Sequence, residues 1–201
     1  MKRLFDVVSS IYGLVVLSPI LLITALLIKM ESPGPAIFKQ KRPTINNELF
    51  NIYKFRSMKI DTPNVATDLM DSTAYITKTG KVIRKTSIDE LPQLLNVLKG
   101  EMSIVGPRPA LYNQYELIEK RTKANVHTIR PGVTGLAQVM GRDDITDDQK
   151  VAYDHYYLTH QSMMLDMYII YKTQLKISLL QKVCITNEKK YFNYRRTWIY
   201  R

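Results

Sequence analysis

The sequence contains one cysteine, Cys184. That excludes an internal disulfide framework and any zinc site built on cysteine pairs. A lone thiol suits a reducing compartment. Three histidines, His127, His155 and His160, stand at spacings that do not fit a paired-histidine zinc motif. Internal repeats and low-complexity linkers are also missing, so 201 residues read as one domain of ordinary size with its own core. Acidic residues are scarce. Eighteen Asp and Glu face 29 Lys and Arg, for a net charge of +11 and an isoelectric point near 9.6. Such an excess asks for a polyanion: nucleic acid, an anionic membrane surface or a phosphorylated substrate. No recognition-helix, RNP or zinc-finger pattern occurs, which argues against nucleic acid.

The amino-terminal segment points to a membrane. From Val7 to Ile28 there is no charged residue, and Val, Leu and Ile dominate. A straight transmembrane helix needs roughly 20 such residues. A cleaved signal peptide is disfavoured, because no small-x-small site is followed by a polar mature sequence. Ser18-Pro19 falls near the middle of the run, where proline removes a backbone hydrogen bond and kinks a helix. Lys2 and Arg3 precede the run; Lys29, Lys39, Lys41 and Arg42 follow it. Basic flanks prefer the cytoplasmic side, and here both flanks are basic. A helix broken at Ser18-Pro19 that enters and leaves by one face satisfies both. The alternative is an ordinary span with a proline kink.

After the sharp break at Ser32-Pro33-Gly34-Pro35, Ala36–Lys41 and Glu48–Phe55 read as a β-hairpin around Pro43, Asn46 and Asn47. Ile60–Thr77 reads as a loop with a short helix. Leu91, Leu94, Leu95 and Leu98 recur at helical spacing, and Gly100 ends that helix. Five of eight glycines lie between Gly100 and Gly141, marking a loop-rich region. Gln149–His160 and Leu165–Lys182 read as helices. The second is either core-facing or flat on a membrane, with Lys172, Lys176 and Lys182 on one side. The tail from Glu188 to Arg201 mixes basic residues with Tyr and Trp198, which suits either a headgroup region or a loose basic tail.

Two constellations carry chemistry. The first is Asp89-Glu90. Ser87-x-x-Glu90 fits a capping box, so both acids have a purely structural reading. Starting the helix at Asp89 instead puts Pro92 in the tolerant first turn and places the acids at the helix mouth. A carboxylate there stays ionised, as a nucleophile or metal ligand must. The second is a set of arginines on stiff or glycine-rich backbone: Arg84, Arg108 in Gly106-Pro107-Arg108-Pro109, Arg130 in Arg130-Pro131-Gly132-x-x-Gly135, and Arg142 after Gly141. A guanidinium fork binds two phosphate oxygens at once. Together they suggest metal-assisted phosphoryl transfer beside a membrane. Mg²⁺ is the expected ion, since it pairs one or two carboxylates with substrate phosphates.

These residues carry a family resemblance. The chain resembles the bacterial sugar transferase family, the monotopic phosphoglycosyl transferases that begin glycan assembly. The matching stretches are Lys2-Arg3-Leu4-Phe5-Asp6, Ser18-Pro19, Ser32-Pro33-Gly34-Pro35, Tyr53-Lys54-Phe55-Arg56-Ser57-Met58, Ser87-Ile88-Asp89-Glu90-Leu91-Pro92-Gln93, Val105-Gly106-Pro107-Arg108-Pro109, and Arg130-Pro131-Gly132 through Gly135-Leu136-Ala137-Gln138-Val139. The resemblance implies a mixed α/β, helix-rich fold. A re-entrant membrane helix (residues 1–30), kinked at Ser18-Pro19, is joined to a membrane-associated catalytic domain with a small hairpin (31–182). The tail 183–201 has no assigned role. It further implies that Asp89 attacks the β-phosphate of a UDP-sugar, releasing UMP, and that undecaprenyl phosphate then takes the sugar-phosphate from the aspartyl intermediate. Asp89 is expected to touch Mg²⁺. Glu90 binds, orients or accepts a proton. Arg84, Arg108, Arg130 and Arg142 are the expected phosphate contacts. The implied place is the bacterial inner membrane with the catalytic domain on the cytoplasmic face, where capsule or O-antigen synthesis starts. Expected partners are the UDP-sugar, undecaprenyl phosphate and membrane lipid, with a homo-oligomer and downstream glycosyltransferases as further candidates. Two alternatives stay open: direct attack of the lipid phosphate without a covalent intermediate, and a non-enzymatic, membrane-tethered polyanion-binding module.

Overall fold

A computed structural model describes residues 1–60, 62, 75–141 and 145–175. Most of the loop expected over 60–77, Arg142 and the tail 183–201 lie outside the described residues.

The apolar segment forms two helices, α1 (Lys2–Val16) and α2 (Ser18–Glu31), bent by 62° at Leu17. The break falls one residue before the expected Ser18-Pro19. Pro19 therefore occupies the first turn of α2, where its missing N–H costs nothing. In a continuous helix, residue 19 would donate to the Val15 carbonyl. The Ser18 hydroxyl bonds that carbonyl instead, at 2.8 Å. Among the described residues no single helix is long and apolar enough to cross a membrane; the bent pair taken together has the length and composition for it. The pair buries polar residues beside Ile28 and leaves an apolar outer surface. Asp6, Ser10 and Thr24 are buried, whereas Leu4, Val8, Ile11, Val15, Leu22, Ile23 and Leu26 are exposed. A water-soluble helix shows the reverse.

The hairpin forms as expected, with β1 (Ile37–Pro43) antiparallel to β2 (Leu49–Phe55). Asn46 and Asn47 take the positive φ values, 55° and 61°, that its connection demands. Helix α3 (Lys78–Lys85) follows. Its start is capped by the Thr77 hydroxyl, accepting from the Gly80 N–H at 2.9 Å. The Glu31 carboxylate adds two bonds, from the Lys78 and Thr79 N–H groups at 2.6 and 2.9 Å. The end of α2 thus fixes the beginning of α3.

The chain then makes a 3₁₀ turn at Ile88–Glu90, helix α4 (Gln93–Lys99) and strand β3 (Ser103–Val105). Helix α5 (Tyr115–Lys123), strand β4 (Gly132–Thr134), α6 (Leu136–Met140) and α7 (Asp147–Thr159) follow. A further helix, α8, covers the described residues 163–175. Strands β3 and β4 pair in parallel, a second small sheet that the glycine-rich sequence did not announce. Three apolar clusters hold these parts. Ile28, Ala36, Phe55 and Ile83 join α2 to the hairpin and α3. Phe50, Ile52, Val97 and Met102 join the hairpin to α4. Val105, Leu136, Tyr157 and Ile169 join β3 to α6, α7 and α8. Both sequence readings of α8 have support. Asp166 and Ile169 are buried, while Met163, Met164, Tyr168 and Tyr171 are exposed.

Charged residues near the start of α1 bolt it to the rest of the fold. Arg3 donates to the Val97 and Leu98 carbonyls at 2.6 and 3.0 Å, closing the carboxyl end of α4. Asp6 accepts from the Ser103 hydroxyl at 2.8 Å and the Ile104 N–H at 3.1 Å. Lys2 pairs with buried Asp166 at 2.6 Å.

Candidate active site

The acid pair lies where the hairpin, α3 and the Pro107–Pro109 segment converge. Ser87 sits at φ 58°, in the left-handed region that costs a non-glycine residue energy. That turn of the backbone separates Arg84, in the last turn of α3, from the Ile88–Glu90 turn.

Here the structure departs from the sequence reading. The helix does not start at Asp89; the acids occupy their own 3₁₀ turn, and α4 begins at Gln93 behind Pro92. Ser87 makes no capping bond with its side chain, so the capping box is not formed. Glu90 spends its carboxylate elsewhere. Its Oε1 accepts from Lys54 Nζ at 2.8 Å and from Arg108 Nη2 at 3.0 Å. Burial disfavours the charge on Glu90, but Arg108 and Lys54 outweigh it and hold the carboxyl down at about 2. Asp89 moves the other way. Burial and the neighbouring Glu90 charge push its carboxyl above the ordinary value, against the pull of Lys54 and Arg84. Two adjacent carboxylates with values driven apart carry different roles. Glu90 is a fixed anion, whereas half-buried Asp89 is the more basic of the two.

Three cations beyond Arg84 surround them: Lys54, Arg108 and Arg42. Lys54 is brought below its ordinary value by burial, with Glu90 opposing. Arg42 donates to the Pro109 carbonyl at 3.1 Å and to Gln40 Oε1 at 2.8 Å. Burial and the nearby Arg108 charge bring Arg42 down to about 10, with Glu90 opposing. Arg121 steadies the Arg108 segment from behind. It donates to the Arg108 carbonyl at 2.8 Å while two of its nitrogens hold Asp154 at 2.7 and 3.0 Å. Four cationic side chains thus meet two carboxylates, a surplus that suits a diphosphate.

Among the expected site residues, Asp89, Glu90, Arg84 and Arg108 come together. Arg130 is exposed and donates to the Gly100 carbonyl at 2.7 Å, at the far end of α4. Arg142 lies outside the described residues. Lys54, Arg42 and Arg121 carried no assigned role. Lys54 had a signal in the sequence: by strand alternation it shares a face with Phe50 and Ile52, where a lysine needs a buried partner.

No group of three or more metal-ligating side chains occurs among the described residues. The donor chemistry nonetheless fits Mg²⁺. That ion is held by one or two carboxylates and completed by substrate phosphates and water, and Asp89 is a half-buried carboxylate beside a second anion.

Residues 1–179 match the model of the family described as bacterial sugar transferase. The uncharacterized sugar transferase EpsL of Bacillus subtilis (strain 168) is 41% identical over 187 residues, covering 93% of this chain and 92% of that protein. The UDP-N-acetylgalactosamine-undecaprenyl-phosphate N-acetylgalactosaminephosphotransferase of Aeromonas hydrophila is 42% identical over 178 residues, 86% of this chain and 42% of that one. The UDP-glucose:undecaprenyl-phosphate glucose-1-phosphate transferase of Escherichia coli (strain K12) is 40% identical over 186 residues, 88% of this chain and 40% of that one. The chain therefore spans nearly all of the first relative and about two-fifths of the other two.

Proposed function

The chain belongs to the bacterial sugar transferase family, and from that premise we propose that it is a phosphoglycosyl transferase moving a sugar-1-phosphate from a UDP-sugar to undecaprenyl phosphate. The observation that carries this reading is the division of labour in the acid pair, with Glu90 locked between Lys54 and Arg108 and Asp89 left as the reactive carboxylate.

The reaction runs in two displacements. An Asp89 oxygen attacks the β-phosphorus of the donor; the bond to the bridging oxygen breaks, and UMP leaves with the electron pair. A phosphate oxygen of the lipid then attacks the same phosphorus, and the Asp89 carboxylate departs. The products are UMP and polyprenyl-diphospho-sugar. Arg84, near Asp89, and Arg108, on Glu90, hold the diphosphate and offset charge in the transition state. Glu90, with a value near 2, is a poor proton acceptor at neutral pH. Its role is to anchor Lys54 and Arg108. Asp89 is the residue that would hold Mg²⁺, which would supply further charge neutralisation when bound. Arg130 and Arg142 remain candidate phosphate contacts reached by other parts of the substrates.

Re-entry of the α1–α2 pair from the cytoplasmic face of the inner membrane is supported by its 62° bend and its apolar-outside arrangement. The bolts from Lys2, Arg3 and Asp6 would then seat the acid pair at the headgroup level, where lipid phosphate is found. The step would open capsule, O-antigen or exopolysaccharide synthesis.

The test is UMP release by detergent-solubilised protein with Mg²⁺, undecaprenyl phosphate and a panel of UDP-sugars. Wild type and Asp89→Asn are compared, with intact-protein mass spectrometry before the acceptor is added. Release lost in Asp89→Asn and a phosphosugar adduct on wild type alone are expected. Release without an adduct points to direct attack. No release with any donor removes the reading in favour of a binding module.

A further inference from the structure

An open groove of about 540 Å³ lies between the hairpin and α4, lined by Lys39, Tyr53, Pro92, Leu95, Leu98 and Lys99 among others. Its floor is apolar, with Leu95 exposed within it. Its rim is cationic in an unusual way, because two ammonium groups share one ring. Lys99 Nζ stands 4.5 Å from the Tyr53 ring centroid and donates to the Tyr53 hydroxyl at 2.6 Å. Lys39 Nζ stands 5.7 Å from the same centroid. Neither lysine has a carboxylate within salt-bridge distance among the described residues; Glu101 acts on Lys99 only at longer range. Like charges gathered without a counter-ion favour an anion, and a leucine floor favours an alkyl body.

We propose that this groove receives the lipid phosphate acceptor, with Lys39 and Lys99 holding its phosphate and Leu95, Leu98 and Pro92 its first isoprene units. The inference rests on the transferase reading and places one of its two substrates. Three observations favour a lipid over the nucleotide donor. The ring of Tyr53 is already engaged by Lys99 and is not free to stack on a base. The other flank of α4 packs on α1, where Leu94 reaches Gly13 and Arg3 holds the Val97 and Leu98 carbonyls. The α1–α2 pair, with its apolar outer surface, is thus held next to the groove, across α4. Finally, the groove reaches the acid turn at one end: Pro92, which lines it, follows the Ile88–Glu90 turn.

The experiment compares the full chain with Lys39→Gln/Lys99→Gln and Lys39→Arg/Lys99→Arg, measuring KM for undecaprenyl phosphate and for the UDP-sugar in neutral detergent. Removing two charge-assisted contacts is expected to raise the acceptor KM roughly tenfold or more, to leave the donor KM in place, and to be largely reversed by the arginine pair. An unchanged acceptor KM overturns the proposal, as does a rise in donor KM instead, which would make the groove a nucleotide site. A defect seen only in phosphatidylglycerol vesicles and absent in neutral detergent also overturns it, since the lysines would then bind bulk headgroups. A wild-type chain that releases no UMP from any donor defeats the transferase reading itself, a separate result from an active chain whose acceptor KM does not move.

Discussion

Lys54 Nζ lies 2.8 Å from Glu90 Oε1, joining the open end of the hairpin to the acid turn. Both side chains are about four-fifths covered, so neither charge is well solvated without the other. Lys54→Gln is expected to lower kcat/KM for UMP release by about a hundredfold, the scale of one lost preorganised donor. Lys54→Arg, which keeps the charge, should retain more activity than the glutamine variant. A Gln variant within a few-fold of wild type would detach Lys54 from the site.

The acid limb of the pH–rate profile follows from the raised value of Asp89. Its carboxylate attacks only when ionised, so activity falls as pH drops through its folded value. That limb should therefore lie above the ordinary aspartate value of about 4. Glu90→Gln removes the neighbouring negative charge, one of the causes that push Asp89 up. In that variant the limb should move to lower pH even as the maximal rate falls. A limb that moves upward would contradict the coupling between the two acids.

Chelation separates the roles of metal and fold. On the proposed mechanism the ion would arrive chiefly with substrate phosphate, held by one or two carboxylates. EDTA should abolish UMP release and leave the thermal unfolding midpoint of the substrate-free protein nearly unchanged. Mg²⁺ should raise that midpoint only when a UDP-sugar is present. A large stabilisation by Mg²⁺ alone would mean a resident structural ion.

Much of this was legible in the sequence, and the failures have physical causes. The helix break, the hairpin and the acid pair follow from local rules: proline's missing donor, strand alternation with Asn46 and Asn47 at the turn, and adjacent carboxylates. The parallel pairing of β3 with β4 was hidden. Each strand is three residues long, and glycines and prolines flank both, which reads as loop. The glycines serve the close approach itself: Gly106 donates to the Thr134 carbonyl at 2.9 Å, and a side chain on Gly132 would meet Gly106 backbone. The capping box at Ser87 and Glu90 failed because distant partners outbid the local one. Lys54 and Arg108 offer Glu90 full charges, whereas the cap offers one N–H. No local window contains that competition.

Arg56 ties the carboxyl end of the hairpin to the turn after α2. It is 7% exposed, and its two terminal nitrogens donate to the Ser32 and Pro33 carbonyls, each at 2.7 Å. Arg56→Ala leaves both carbonyls without these donors and should cost about 2–3 kcal/mol. Arg56→Lys should recover only part, because an ammonium lacks the planar fork that spans two acceptors. The same guanidinium excludes a side chain at Gly34, whose φ is +108° and whose added Cβ would lie 2.6 Å from Arg56 Nη1. Gly34→Ala therefore carries two penalties, backbone strain and a clash, and only the second depends on Arg56. In the Arg56→Ala background the Gly34→Ala cost should shrink to the strain and the tight contact with Ile60 Cδ1 at 3.0 Å. A double-mutant cycle on urea-unfolding free energies measures the difference. Strict additivity of the two substitutions would show that Arg56 does not occupy the space over Gly34.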